Sequence, residues 1–186
     1  MKAYFDIESL ISSGNILNEL DYERALIADR KLRLLAKSDN KVSVVRMKLR
    51  DLIEEYERNI WSDMDNISDE KIVESDEAVR IAERERLFFS NRKQEIRKKL
   101  KELDLTQENL GFILGHKSKT HMSELMNGLK PFTMKDLVII NRLLRIEMTI
   151  LVPRFLSIED QNRVKKAMET LKKPHVEFTS DDLVFG

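Results

Sequence analysis

A chain of 186 residues, 35% charged and 41% hydrophobic, carries enough apolar side chains for one large or two small packed domains, and too many for a disordered or collagen-like polymer. Its 33 basic and 33 acidic residues cancel, yet residues 1–90 hold 15 Lys and Arg against 20 Asp and Glu, leaving 18 against 13 for residues 91–186. Five glycines and three prolines supply few of the turns a many-stranded sheet needs, so the expected fold is all-α, and zero cysteines exclude disulfides, thiolate metal sites and a cysteine nucleophile.

Residues 1–14 place Asp6 and Glu8 among apolar neighbours, and no window approaches the roughly 18 apolar residues of a membrane span. The expected location is the cytoplasm, with no membrane partner. A short helix is predicted around residues 7–11. Apolar residues then recur at helical spacing over residues 18–36 and 41–61, the second time as Val42, Val45, Leu49, Leu52, Ile53, Tyr56 and Ile60. The polar break Lys37-Ser38-Asp39-Asn40 between them predicts an antiparallel helical hairpin. Tyr56 and Trp61 are expected to pack at its end, with the anchoring of a partner as the alternative. Residues 62–76 are acid-rich and poor in large apolar side chains, the composition of an exposed connection, so residues 1–75 are read as an acidic helical unit ending in a linker. The acids there lack the alternating spacing and central glycine of a calcium loop.

Helical character resumes near Glu77, giving a connecting helix over residues 76–90, with a further capping-box pattern at Asn91 and Gln94. Lys98, Lys99 and Lys101 lie on the next helix, either against phosphates or in solvent. After Leu103 four short helical segments are divided by Gly115-His116-Lys117, by residues 127–131 and by Arg145-Ile146. Thr133 with Asp136, and Ser157 with Asp160, have capping-box spacing. The last starts an amphipathic helix to about Lys172, with Pro174 ending it, so residues 156–186 are a C-terminal helix and tail beyond a five-helix domain at 91–155.

Residues 105–115 and 118–128 form a helix, a tight turn and a second helix, a helix-turn-helix pattern. Gly111 stands where two helices approach, and Gly115 where the chain leaves the first in a left-handed conformation. Leu110, Ile113, Leu114, Met122 and Leu125 are expected to face inward, with Ile96, Leu100, Ile140, Leu143 and Leu144. The outward set is Lys117, Ser118, Lys119, Thr120, His121, Ser123 and Glu124, short polar groups and positive charge at a helix N-terminus that can enter a major groove. Lys119, Thr120 and His121 are expected at base edges, and Gln107, Lys117 and Lys130 at phosphates. His116 and His121 without a His-Glu-x-x-His pattern argue against a metal site, and no triad order or glycine-rich phosphate loop stands out. The chain is therefore expected to bind rather than catalyse, with no cofactor.

Thr106-Gln107 with Leu110, Gly115, Ser123 and Asn127-Gly128 resemble the helix-turn-helix of the Cro and lambda-repressor (XRE) superfamily. More narrowly, residues 115–128 with Lys130 and Thr133, together with the upstream motifs 22–26 and 52–57, resemble HigA-type antitoxins over roughly residues 18–155. Two features depart from the pattern: the turn between Gly115 and Ser123 is one residue longer than in the commonest members, and the helix after Ser157 is extra. The resemblance implies a lambda-repressor-like DNA-binding domain and a homodimer that represses its own operon and neutralises a small basic RelE/HigB-like ribonuclease toxin. The charge split suits both roles, a basic half for DNA and an acidic one for a basic toxin. The alternatives are a free-standing helix-turn-helix transcriptional repressor whose N-terminal unit only dimerises or senses a ligand, and a protein-interaction scaffold that merely keeps the helix-turn-helix shape.

Overall fold

The computed structural model describes residues 6–37, 39–62, 67–156 and 158–171, without the side chains of 158 and 159. Among these residues the only regular elements are helices: α1 (Ile7–Ser13), α2 (Glu19–Leu35), α3 (Asn40–Ile60), α4 (Asp69–Glu102), α5 (Gln107–Leu114), α6 (Lys119–Asn127), α7 (Met134–Leu144), α8 (Met148–Leu151) and α9 (Ile158–Leu171). The all-α expectation holds. The cap and tail expected at Ser157 and beyond residue 171 lie outside the described residues.

Each early helix starts where a side chain can satisfy the free N–H groups of its first turn. Asn18 accepts from Asp21 N at the start of α2, and Asp39 accepts from Lys41 N at the start of α3. The hairpin is antiparallel, because the start of α2 meets the end of α3. Tyr22 stacks on Tyr56 with ring centroids 4.9 Å apart, and the Tyr22 hydroxyl donates to Glu57 at 2.7 Å. Of the predicted α3 stripe, Val42, Leu49, Ile53 and Tyr56 are buried, while Ile60, the last residue of the helix, is exposed. Trp61 packs against the same core, in the expected place.

The middle of the chain departs from the expectation. α4 begins at Asp69, inside the stretch read as a linker, and passes residues 90 and 91 without a break. Ser68 accepts from Lys71 N, Asp69 and Glu70 put negative charge at the positive end of the helix dipole, and no Gly or Pro interrupts the next 34 residues. Among the described residues the acids of that stretch, Asp69, Glu70, Glu74 and Asp76, are the first turn and solvent face of a helix about 50 Å long. Its inner face is small: Ala78 and Ala82 pack with Leu20 and Ile27 of α2. The Arg24 Nε donates to Glu85 Oε2 at 2.8 Å across the same interface.

The C-terminal half of α4 joins α5 to α8 around a second core of Ile96, Leu100, Leu110, Leu114, Met122, Leu125, Met126, Phe132, Leu137, Ile140, Leu144, Ile146 and Leu151. Ile113 was expected in this core but is 42% exposed. In a helix of eight residues Leu110, Gly111 and Leu114 take the single inward stripe, which leaves Phe112 and Ile113 pointing away. The Thr133 and Asp136 capping box is present as predicted, and a second joins Thr106 to Asn109.

The two cores touch. Leu129, in the loop after α6, is 3% exposed because it inserts among Ile7, Ile16, Ala25 and Leu32 of the N-terminal helices.

Candidate nucleic-acid interface

The helix-turn-helix geometry follows from three short-range devices. Thr106 and Asn109 close the first turn of α5 reciprocally. Gly115 leaves α5 at φ +84, a left-handed conformation in which a side chain is strained although space around it is open. Ser118 then caps α6 by accepting from His121 N at 3.1 Å. At the buried Gly111, an added methyl would meet His116 O at 3.4 Å and Met122 Cγ at 3.5 Å, ordinary contact, so the approach of the turn leaves room for nothing larger.

The predicted residues divide by environment. Lys117 and Lys119 stand in solvent, the Lys119 side chain 78% exposed with its ammonium 2.9 Å from Glu108 of α5. Ser118 is exposed but its hydroxyl is committed to the cap. Gln107 Nε2 donates to Ser123 Oγ at 3.3 Å, which ties the start of α5 to the middle of α6. His121 lies edge-on to His116, ring centroids 5.0 Å apart, with Nδ1 3.6 Å from Glu124 Oε2. The Glu124 carboxylate also meets Lys130 at 3.2 Å, so this side chain braces the loop from within.

Two of the expected DNA contacts are engaged by the N-terminal unit. The Thr120 hydroxyl donates to Asp39 Oδ2 at 2.6 Å, and Lys130 Nζ is 2.7 Å from Glu8. The hydrogen bond from Thr120, with the backbone N–H of Lys41, holds the Asp39 carboxyl below the usual carboxylate range. Partial burial works against charge on Lys130, but Glu8 and Glu124 outweigh it and raise its pKa. The acidic unit thus sits beside the N-terminal end of α6 rather than hanging from it by a linker.

A second basic feature borders α5. Arg97 and Lys101 from the end of α4 line a groove of about 360 Å3 with Asp104, Leu105, Thr106 and Gln107, which puts one guanidinium and one ammonium group, offset by a single carboxylate, on the side where α5 opens. Of the three lysines singled out in the sequence, Lys101 reaches this groove, whereas Lys99 bridges to Glu102 at 2.8 Å. Among the described residues no group of three or more His, Cys, Asp or Glu is placed to hold a metal ion, and no helix is long and apolar enough to cross a membrane.

No family model, curated protein or solved structure matches the chain. Asp39, Glu8 and Arg97 therefore enter on geometry alone. Sequence reasoning missed Asp39 and Glu8 because their partners lie more than 80 residues away and no local pattern marks the pairing. Arg97 was within reach of helical arithmetic, being four residues before Lys101 on one face.

Proposed function

We propose that the chain is a DNA-binding antitoxin: a repressor of its own operon through α5 and α6 that also neutralises a small basic ribonuclease toxin through its acidic N-terminal helices. The observation that carries the DNA half is the pairing of a left-handed Gly115 turn and a Ser118-capped α6 with Lys117 and Lys119 exposed at its start. Positive charge and free N–H groups converge where a phosphate backbone or groove edge would lie. The groove at Arg97, Lys101 and Gln107 supports a second phosphate contact. In this reading Thr120 and Lys130 exchange Asp39 and Glu8 for DNA, so binding competes with an internal contact. A homodimer in the cytoplasm, reading two half-sites, completes the proposal.

The toxin half rests on charge. Residues 1–90 carry a surplus of five acids, suited to a basic partner. The test is fluorescence anisotropy with the chain's own promoter fragment at several salt concentrations. Specific binding should weaken steeply with salt, and Lys117→Ala should lower the log–log slope by about 1 without changing sequence preference. Binding that ignores both salt and sequence would refute the DNA half. The toxin half fails if co-expression with the protein encoded beside it gives no rescue of growth.

A further inference from the structure

We propose that the cleft between α2, α4 and the end of α6 binds a small phosphate-bearing molecule whose remaining body is planar or apolar, of nucleotide dimensions. The cleft has a volume of about 480 Å3, within the roughly 300–1,000 Å3 typical of ligand sites, and its basic wall is Arg30, Lys31, Arg86 and Lys93. Ile27, Leu34 and Phe89 form its apolar wall. Four cations face one carboxylate, Glu83, and that carboxylate is held by both arms of Arg86 at 2.6 Å.

The two lysines are the unusual part. Lys31 Nζ donates to the Asn127 carbonyl at 2.9 Å, and Lys93 Nζ donates to the Asn127 side-chain oxygen at 2.6 Å. Among the described residues no carboxylate lies within ion-pair distance of either, so two ammonium groups converge on a single neutral residue. Burial, then the like charges of Arg86, Lys93 and Arg92, push the Lys31 amine down to about 8. The charged groups around it are Arg30 on α2 and Glu83, Glu85, Arg86, Arg92 and Lys93 on α4; α6 contributes only Asn127. Glu85 offers little relief because Arg24 occupies it.

The two ammonium groups satisfy the last residue of α6 at the negative end of its dipole, and Lys31 also lies 5.7 Å from the centre of the Phe89 ring, but neither has a full counter-charge, so an anion seated there gains several charge-assisted hydrogen bonds at once. The phosphate belongs on Lys31 and Lys93, with the Arg30 guanidinium at the rim. The organic body lies against Leu34, an apolar side chain left 65% exposed at the mouth, and the Phe89 ring. Lys31 also lines the narrower space running in toward Gly128 and Leu129, a depth that a stiff duplex backbone does not reach. The proposal stands apart from the DNA reading, since its primary measurement contains no DNA.

Calorimetry on the full chain with adenosine monophosphate, inorganic phosphate and adenosine separates the sources. Adenosine monophosphate should bind saturably, inorganic phosphate more weakly and in competition, and adenosine not at all. Arg30→Gln, at an exposed position, and Lys93→Gln should each weaken the monophosphate about tenfold, while Lys117→Gln should not. Lys31, followed by carbon-13 NMR of the side chain, should titrate higher with the site filled. Absence of saturable binding, equal binding of adenosine, or inorganic phosphate binding as tightly as the nucleotide would overturn the proposal. So would a duplex that binds and is weakened by the same two variants while the monophosphate does not bind, which would assign these cations to a DNA backbone.

Discussion

Two glycines with similar backbones differ sharply in what surrounds them. Gly115 and Gly128 both hold positive φ, but a Cβ on Gly115 meets open space, whereas one on Gly128 would fall 2.6 Å from Phe89 Cγ and 3.0 Å from Phe89 Cβ, the rigid root of that side chain. Gly115→Ala should therefore cost about 1 kcal/mol, the left-handed strain alone. Gly128→Ala should cost that plus the roughly 1–3 kcal/mol of overpacking, and urea unfolding of the two variants should separate them in that order. Glu19 is the other residue on which much depends. It is 1% exposed, and its Oε1 accepts from the Tyr56 hydroxyl at 2.7 Å and faces Lys71 at 2.9 Å, while its Oε2 is buried without a hydrogen-bond partner. Burial and the neighbouring carboxylate push the Tyr56 phenol well above its ordinary range. Glu19→Ala leaves the buried phenol unpaired and Lys71 with Glu74 alone, 3.1 Å away, and should cost about 2 kcal/mol by the same measurement; a loss under about 1 kcal/mol would show that water enters and replaces it.

At the scale of elements, the α4 side of its interface with α2 is built from small residues. Ala78 and Ala82 on α4 are buried against Leu20 and Ile27 of α2, so Ala82→Leu should push the helices apart and lower stability by about 1–3 kcal/mol, read as a lower melting temperature. This interface also explains which elements could be read from sequence. α2, α3, α5, α6 and α7 announce themselves through apolar periodicity and through caps that are local in sequence: Asn18, Asp39, Thr106 with Gly115, Ser118 with Gly128, and Thr133 with Asp136. The start of α4 does not, because a helix that buries alanines beside a charged outer face has the composition of a linker. Ile113 misled for the opposite reason, an apolar residue in an apolar helix with only one face to bury. Within the candidate interface, Lys117, Lys119 and Gln107 were legible as exposed or first-turn residues, but the engagement of Thr120 and Lys130 was not, since it depends on how two separate cores dock.

For the molecule as a whole, that docking decides which experiment is informative. Removing residues before about Glu77 would strip α4 of α2, expose Ala78, Ala82 and Leu129, and leave Glu85 without Arg24, so loss of DNA binding in such a fragment would report misfolding as readily as function. Charge can be altered with the fold kept. Asp39→Asn retains a cap at the start of α3 and Glu8→Gln retains shape, while together they remove two carboxylates that stand on Thr120 and Lys130. If α6 presents its N-terminal end to DNA with the acidic unit still docked beside it, these carboxylates repel the phosphates, and their removal should tighten promoter binding. At exposed sites that repulsion is modest and screened, so the double variant should bind roughly fivefold tighter in low salt, with the gain fading as the Debye length falls to about 3 Å in molar salt. A variant that binds DNA no better than the parent at low salt would mean that the two contacts cost DNA binding nothing, or that the phosphates run elsewhere. Lys117→Ala in the same assay distinguishes these outcomes: a slope reduced by about 1 keeps the DNA at the start of α6, and an unchanged slope moves it to another face.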